Sequence, residues 1–382
     1  MDKKKLVVRG ATAVAVAFLA IFLAPFFYPV PKIKGSRDVL HASRVLDLST
    51  AGAVAGESLD FDPKGEGPYT GVADGRILKW EGESVGWREF AIDSPHRQSC
   101  TQPSFPQLEH ICGRPLGVMF EKKSGDLYID DCYLGLMVVG PEGGLAKQLA
   151  IEAEGLRFDF TNHMDIDELD DVIYFTDSSK VYNIRTYMNL IMSGDRTGRL
   201  IKYEKKNRKT TVLLKGLGFP NGVALSKDRS FVLVAESTRF RVLRFWLRGP
   251  NAGKHDVFAD LPGAPDNIRR NEKGEFWVAM YTKKTLFAYM GFTNPWFGNI
   301  LLKLLNFSQL NSLLIGGTPH ALAAKLSETG EIIEVLEDSK GKTLAFISEV
   351  LERDGKLWIG SITTPYIGIY DYDRFLPMSI SR

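Results

Sequence analysis

One pattern of polar and apolar residues recurs six times along the chain, and this repeat restricts the possible fold more than any other feature. Each unit holds a polar residue, an apolar run, a charged or glycine-containing turn and a second β-rich run, as in NGVALSKDRSFVLVAESTRFRVLRFWL. The second runs begin near Tyr69, Leu127, Ile173, Val232, Phe276 and Leu357, with spacings of 58, 46, 59, 44 and 81 residues. Each unit has room for about four short strands, so the repeat predicts an all-β chain folded as a six-bladed β-propeller.

The long last spacing contains the segment LFAYMGFTNPWFGNILLKLLNFSQLNSLL, which does not alternate as a strand does. Its apolar residues recur at helical intervals, so we predict a short helical insertion before the last blade, with one or two helices laid over one face. Residues 40–56 are expected to supply a strand that closes the ring against the last blade, because closure removes exposed sheet edges.

The amino terminus combines basic residues with an uncharged stretch. Lys3, Lys4, Lys5 and Arg9 precede Gly10–Val30, whose 21 residues are long enough to cross a bilayer as a helix. A cleaved signal peptide is the alternative, although the large residues after its apolar centre suit a cleavage site poorly. The predicted organisation is a cytosolic basic tail (1–9), a signal anchor or signal peptide (10–30) and a propeller on the lumenal side (31–382).

Cysteine usage agrees with a lumenal propeller. Cys100 and Cys112 lie in a polar, proline-containing segment and would bridge in an oxidising compartment, whereas Cys132 is expected to be a buried apolar residue. Asn306 begins the only Asn-x-Ser/Thr sequence and is a predicted glycosylation site. We therefore expect a glycoprotein of the secretory pathway, in the endoplasmic reticulum membrane or alternatively the vacuole. The net charge of +2 indicates no nucleic-acid partner.

The first residue of each repeat is predicted to line the central channel at one height. These positions are Glu57, Leu116, Asn162, Asn221, Asn267 and Ser348, and Asp266 directly precedes Asn267. An isolated Asn-Gly or Asp-Asn pair would indicate only a turn. One Glu and three Asn in register instead favour a metal, and carboxylate and amide oxygens are ligands of Ca²⁺. The predicted calcium ligands are Glu57, Asn162, Asn221, Asp266 and Asn267.

Four segments carry a family resemblance: CGRPLGVMFE, DVIYFTDSS, FPNGVALSKDRSFVLVAESTRFRVLRFWLRG and LPGAPDNIRRNEKGEFWVAM. They resemble the strictosidine synthase-like proteins, and the resemblance covers roughly residues 35–375. It implies a six-bladed propeller of the kind shared with paraoxonases, a secretory-pathway location often with an amino-terminal anchor, and a disulfide at the Cys100–Cys112 position.

The resemblance also bears on catalysis. Strictosidine synthase condenses tryptamine with secologanin through a Glu at the start of the last blade, where this sequence has Ser348. Ser has no acid/base pKa suited to that reaction, and neighbouring Glu349 should point to the opposite face of a regular strand. Paraoxonases use calcium and a channel His, and Leu116 occupies the place of that His, whereas all five calcium ligands of the paraoxonase type are present.

Three residues remain catalytic candidates: His163, Ser348 and Glu349. His163 adjoins Asn162, and strand alternation favours a core position for it. The leading functional hypothesis is a calcium-dependent hydrolase of esters or lactones that takes a small hydrophobic substrate into the channel. A synthase-type lyase, which Ser348 argues against, and a non-catalytic lumenal module with structural calcium are the alternatives.

Overall fold

The computed structural model describes residues 31–96, 100 and 105–373. The predicted basic tail (1–9) and anchor or signal segment (10–30) lie outside the described residues. Among the residues that are described, no helix is both long enough and apolar enough to cross a membrane.

Short strands are the main secondary structure of the described chain. The first fourteen are β1 (Arg37–Asp38), β2 (Arg44–Asp47), β3 (Leu59–Asp60), β4 (Tyr69–Gly71), β5 (Arg76–Trp80), β6 (Trp87–Ile92), β7 (Pro115–Phe120), β8 (Leu127–Asp131), β9 (Gly135–Val139), β10 (Gly144–Leu145), β11 (Lys147–Ala150), β12 (Glu152–Ala153), β13 (Leu156–Arg157) and β14 (Thr161–Asp167). The others are β15 (Val172–Asp177), β16 (Gly198–Glu204), β17 (Lys209–Leu217), β18 (Pro220–Leu225), β19 (Phe231–Glu236), β20 (Arg241–Trp246), β21 (His255–Asp260), β22 (Gly263–Arg270), β23 (Phe276–Lys283), β24 (Ala321–Leu326), β25 (Ile332–Asp338), β26 (Ile347–Arg353), β27 (Lys356–Ser361) and β28 (Tyr366–Asp371).

Helices are few and short. The α-helices of the described residues are α1 (Phe105–Cys112), α2 (Tyr187–Ser193), α3 (Leu286–Thr293), α4 (Pro295–Leu304) and α5 (Phe307–Leu314). Single 3₁₀ turns occur at Leu40–Ala42, Ser49–Ala51, Ile184–Thr186 and Ser237–Arg239.

The strands form repeated sheets around a common centre. In the described part of the chain, six sheets have four or five strands, and β12 and β13 form a separate two-stranded ribbon. The innermost strands are β3, β7, β14, β18, β22 and β26, and each contacts the next, with β26 returning to β3. This cyclic arrangement of mainly antiparallel sheets is that of a β-propeller.

The last sheet joins the two ends of the described chain. Strand β2 pairs antiparallel with β28, so that Arg44 lies opposite Ile369. The prediction that residues 40–56 supply the closing strand is thus confirmed, and the strand itself occupies residues 44–47. Strand β2 is the outermost strand of this sheet and covers the edge of β28, so strands from both ends of the described chain close the ring together.

The β-rich runs of the repeat are buried on both faces, which explains why they read as nearly continuous apolar segments. Strand β19 is buried along its whole length. Its side chains alternate: Val232 and Val234 pack towards the preceding sheet, whereas Phe231 and Leu233 pack towards the following one. The core therefore consists of layers between neighbouring sheets, each filled from both sides.

The helical insertion lies between β23 and β24, so it belongs to the sheet that precedes the last one in sequence. It holds three helices where the sequence indicated one or two. The breaks have local causes, because Pro295 starts α4 at a position where no backbone donor is needed. Asn306 accepts a hydrogen bond from the Gln309 amide and caps α5. Asn306 is exposed, and its glycosylation remains a prediction.

The predicted disulfide is confirmed. Cys100 and Cys112 are bonded, and the bond attaches the end of α1 to the segment that precedes it. Cys132 is a free cysteine with an exposure of 1%.

Candidate functional site

The predicted ring residues lie at or beside the starts of the innermost strands, where the strand register is irregular. The pairing shifts between Thr161 and Met164, between Pro220 and Val223, and between Pro265 and Ile268. The interrupted stretches contain Asn162, Asn221, Asp266 and Asn267. A β-bulge redirects side chains and recurs beside functional sites, and here it directs polar groups towards the centre of the ring.

Four buried oxygens of this ring have no hydrogen-bond partner among the described residues. They are Glu57 Oε2, Asn162 Oδ1, Asn221 Oδ1 and Asn267 Oδ1. An unpaired oxygen buried away from water is unfavourable, so this concentration favours a ligand that accepts electron pairs. Calcium binds six to eight oxygens from carboxylates and amide carbonyls, and this set of two carboxylates (with Asp266) and three amides fits it.

The charged groups at the site are also consistent with a bound cation. Burial raises the pKa of Asp266 to about 8; a hydrogen bond with the Asn221 side chain opposes this rise, and the Glu349 charge adds to it. Burial and then the Asp266 charge raise the pKa of Glu57 well above its usual range, against the opposing effect of Arg114. A nearby cation would favour the ionised form of both carboxylates.

The five predicted ligands include no histidine and no cysteine. Within the described ranges, no group of three or more His, Cys, Asp and Glu side chains is placed to hold a metal ion. The predicted ligands include only two carboxylates, and their other members are amides, so this ring suits a hard, oxygen-binding cation rather than zinc or copper.

Hydroxyl groups hold the backbone of the ring in place. Thr176 Oγ1 donates to the Asn221 carbonyl at 2.6 Å, and Ser237 Oγ donates to the Pro265 carbonyl at 2.5 Å. Ser348 Oγ donates to the Glu57 carbonyl at 2.6 Å and is fully buried. The candidate Ser348 thus supports the position of a predicted ligand, and it does not line the cavity described below.

The other two catalytic candidates meet in a second, deeper layer. His163 Nε2 and Glu349 Oε2 are 2.9 Å apart, and Arg269 Nε lies 3.1 Å from the same carboxylate oxygen. His163 Nδ1 accepts a hydrogen bond from the Val223 amide at 3.1 Å. The proton therefore resides on Nε2, and both ring nitrogens are engaged. Burial lowers the pKa of His163, although the hydrogen bond to Glu349 partly offsets the effect.

Glu349 is held as an ion. Burial alone would raise the pKa of its carboxyl, but Arg269 and His163 outweigh burial and keep the pKa below its ordinary value. The carboxylate also accepts from the Leu59 amide at 2.9 Å and from Ser58 Oγ at 3.1 Å. The layer therefore links strands from opposite sides of the ring.

Strand alternation did not predict this meeting of side chains. A regular strand would direct Glu349 and His163 away from the channel, but the register of β26 shifts between Ile347 and Glu349, as that of β14 does around His163. Sequence reasoning also missed Arg269, whose only signal is a charged residue inside a buried strand. Gly222 allows β18 and β22 to lie close together, because a Cβ at this position would be only 2.4 Å from the Ile268 nitrogen.

A cavity of about 550 Å³ lies directly over the ring. Its floor includes Glu57, Asn162, Asn221 and Asp266. Its walls are mainly apolar and include Phe160, Met188, Ile191, Phe219, Phe292 and Leu314. Helices α2, α3 and α5 contribute to these walls, so the helical insertion covers the ring as the sequence predicted, although Leu116 packs in the same apolar cluster rather than presenting a polar group.

Two polar residues of the cavity were not anticipated from the sequence. The Tyr281 hydroxyl donates to Asn311 Oδ1 at 3.0 Å, which connects β23 to α5. Burial raises the pKa of Tyr281 well above its ordinary value, so its hydroxyl keeps its proton and acts as a donor. Neither residue belongs to a repeated position, and an insertion offers no register from which to predict the contact.

Comparison with known proteins shows the family of the chain. The strictosidine synthase family profile matches residues 162–250. STRICTOSIDINE SYNTHASE-LIKE 10 of Arabidopsis thaliana is 60% identical over 342 residues, which cover 89% of this chain and 91% of the relative. The chain belongs to the strictosidine synthase-like family. A second member from the same plant, STRICTOSIDINE SYNTHASE-LIKE 1, is 54% identical over 81% of this chain and 78% of its own length.

Solved structures of distant sequence share the fold. A gluconolactonase from Xanthomonas campestris superposes with a TM-score of 0.56 at 14% identity, covering 90% of this strictosidine synthase-like chain and 95% of the neighbour. A calcium-binding protein, regucalcin, from Agrobacterium tumefaciens gives a TM-score of 0.54 at 14% identity, covering 86% and 93%. At this identity the likeness establishes the propeller architecture.

Proposed function

We propose that this chain is a calcium-dependent hydrolase of hydrophobic esters or lactones. The observation that carries the proposal is the group of four unpartnered buried oxygens in the ring, three of which, on Glu57, Asn162 and Asn221, belong to residues at the floor of an apolar cavity. Such a floor beneath a hydrophobic chamber suits a substrate that combines an apolar body with one polar, reactive group. The names of two structural neighbours, a gluconolactonase and a calcium-binding regucalcin, agree with this proposal.

Glu57, Asn162, Asn221, Asp266 and Asn267 would hold the calcium ion. When bound, calcium supplies Lewis acidity, which withdraws electron density from an ester or lactone carbonyl. The chain's own part is to orient the substrate and to exclude water. The apolar walls receive the body of the substrate, and the Tyr281 hydroxyl, which donates to Asn311 Oδ1, holds α5 in place over the cavity.

The synthase-type reaction is less well supported. It requires an acid/base carboxylate at the start of the last sheet, and Ser348 stands there with its hydroxyl donated to the Glu57 carbonyl. Glu349 is next in sequence, but it is paired with Arg269 and His163 in the layer below the ring. A carboxylate held in this way is a poor proton carrier.

The proposed activity predicts calcium-dependent turnover of neutral, hydrophobic substrates. A panel of aryl esters and aliphatic lactones should be assayed with added calcium and with a chelator. We expect hydrolysis in calcium and a loss of at least about tenfold in chelator, since the carbonyl would lack its electrophile. Calcium-independent hydrolysis, or no hydrolysis of any member of the panel by correctly folded protein, would contradict the proposal.

The cover formed by the helical insertion should control access of large substrates. Phe307 lines the cavity and is 57% exposed, whereas Trp296 is 72% exposed on α4 and does not line it. Phe307→Ala should raise KM for long-chain esters more than for short ones, because apolar contact with the chain is lost. Trp296→Ala is the matched control. Equal kinetics for Phe307→Ala and the control would count against a role of this helix in substrate binding.

Two further interpretations accompany the proposal. We interpret the six sheets as six blades, since their inner strands contact one another in a closed cycle. We also propose a lumenal propeller in the secretory pathway, with the endoplasmic reticulum membrane as the first candidate location. The Cys100–Cys112 bond favours this placement, because structural disulfides persist in oxidising compartments.

A further inference from the structure

We propose that the cavity selects a ligand whose apolar body carries a carboxylate, and that Arg185 together with Arg114 forms the carboxylate subsite. The inference deepens the proposed function and rests on it, since it assumes calcium at the floor of the cavity. It names the chemical class of substrate or hydrolysis product that this chamber would retain.

The subsite lies on one side of the cavity, away from the apolar walls. Arg114 Nη1 donates to Glu109 Oε1 at 3.0 Å, and Arg185 Nε lies 3.4 Å from Glu109 Oε2. The Tyr133 hydroxyl donates to the same carboxylate at 3.2 Å. Two guanidinium groups therefore share one carboxylate, and all three charged side chains line the cavity.

The charge balance of the cavity favours an anion once calcium is present. The ionisable carboxyl and guanidinium groups that line it are Glu57, Glu109, Asp266, Arg114 and Arg185. Calcium would neutralise Glu57 and Asp266 at the floor. Arg114 then offsets Glu109, and the positive charge of Arg185 is left without a counter-ion of its own in this chamber.

The donors of this pair have unused capacity. Arg114 Nε is buried with no hydrogen-bond partner among the described residues. Arg185 uses one nitrogen on Glu109, and its side chain is 37% exposed, so its other nitrogens can face a ligand. A guanidinium presents parallel donors that match the two oxygens of a carboxylate, which gives both affinity and orientation.

Both arginines are held by their local backbone. The Arg114 amide donates to Asp131 Oδ2 at 2.5 Å, at the start of β7. Arg185 lies in the 3₁₀ turn Ile184–Thr186, which Asn183 caps by accepting from the Arg185 amide at 3.1 Å. The side chains thus extend from fixed positions, and less conformational entropy is lost when a ligand binds.

The test compares octanoate with 1-octanol, which share an apolar chain and differ in charge. Affinities are measured by isothermal titration calorimetry in saturating calcium, with wild type, Arg185→Gln, Arg185→Lys and the exposed Arg88→Gln as control. We expect octanoate to bind about tenfold more tightly than octanol in wild type and in the control. Arg185→Gln should remove most of this preference, and Arg185→Lys should retain part of it because the charge remains.

A second variant tests the charge argument in the opposite direction. Glu109→Gln removes the carboxylate that competes for both arginines and should increase the preference for octanoate. Equal binding of the two ligands by wild type, or an unchanged preference in Arg185→Gln, would overturn the proposal. Neither probe is hydrolysed, so the outcome is independent of turnover. Failure of the ester and lactone panel would therefore be distinguishable from failure of the carboxylate subsite.

Discussion

Chelation of calcium is expected to lower the melting temperature of the wild-type protein by several degrees. The ring of proposed ligands exists only in the folded chain, so calcium at about 100 times its Kd would stabilise the native state by about 2.7 kcal/mol. The physical reason is the group of unpartnered oxygens on Glu57, Asn162, Asn221 and Asn267, which lack any other source of compensation among the described residues. The measurement is a thermal unfolding curve in saturating calcium and in chelator.

Substitutions in the ring should change the difference in melting temperature between calcium and chelator. Asp266→Ala removes one of two charged ligands and should abolish most of the calcium-dependent increment. Asn221→Asp keeps an oxygen and adds a charge, so the increment should change in size while the response to calcium persists. Because Asp266 carries a pKa of about 8 from burial, its removal also relieves a desolvation cost, and the curve in chelator should not fall.

The control is Asp170→Ala, on the surface and distant from the ring. Asp170 pairs with Arg229 at 3.4 Å and also with Arg248, and its side chain is 49% exposed. Exposed pairs contribute about 0–1 kcal/mol, so any loss should be small and equal with and without calcium. Identical melting temperatures of wild type in calcium and in chelator would remove the metal site and the calcium-dependent hydrolase together.

Replacement of Glu349 is expected to destabilise the propeller strongly, independently of calcium. Glu349→Ala would leave Arg269 buried without its counter-ion and His163 without its acceptor. Breaking one side of a buried ion pair costs about 3–5 kcal/mol. Urea unfolding in chelator isolates this effect from the metal, and the expected result is a transition midpoint far below that of wild type.

A double variant separates the cost of the unpaired arginine from the loss of packing. Arg269→Met combined with Glu349→Gln removes both charges, and it should be more stable than Glu349→Ala alone. The surface pair Arg353–Asp354, at 3.1 Å with Asp354 80% exposed, supplies a control, because Asp354→Asn should cost less than about 1 kcal/mol. Similar stability of Glu349→Ala and the control would contradict the central role assigned to this layer.

Much of the architecture was predictable because its signals are local. The alternation of Phe231–Glu236 and the polar turns between runs recur in each unit, so a local pattern determined a global arrangement. The closing strand at Arg44–Asp47 followed from the same logic of unpaired edges. The ring positions could also be predicted from the sequence, since equivalent places in equivalent repeats meet at one level of the channel. Asn162 and Asn221 line the cavity as the repeat predicted.

The directions of side chains at the bulges were not predictable in this way. Alternation has a period of two residues, and one inserted residue reverses it, so the contact of Glu349 with His163 across the centre could not be derived from the pattern of either strand. The residues of the cavity wall were likewise only partly predictable from the sequence. One or two helices were expected to cover a face, but the contact of Tyr281 with Asn311 depends on how the insertion folds back.

The sequence by itself determined the repeat, the secondary structure of its units and the residues that form the ring, because each depends on neighbours a few positions away. Only the tertiary structure decided which groups meet across the centre. Glu349 is 186 residues from His163 and 80 from Arg269 along the chain, yet their side chains are in contact. Closure of the ring brings these strands together. A local sequence pattern cannot indicate that residues so far apart in the chain are in contact.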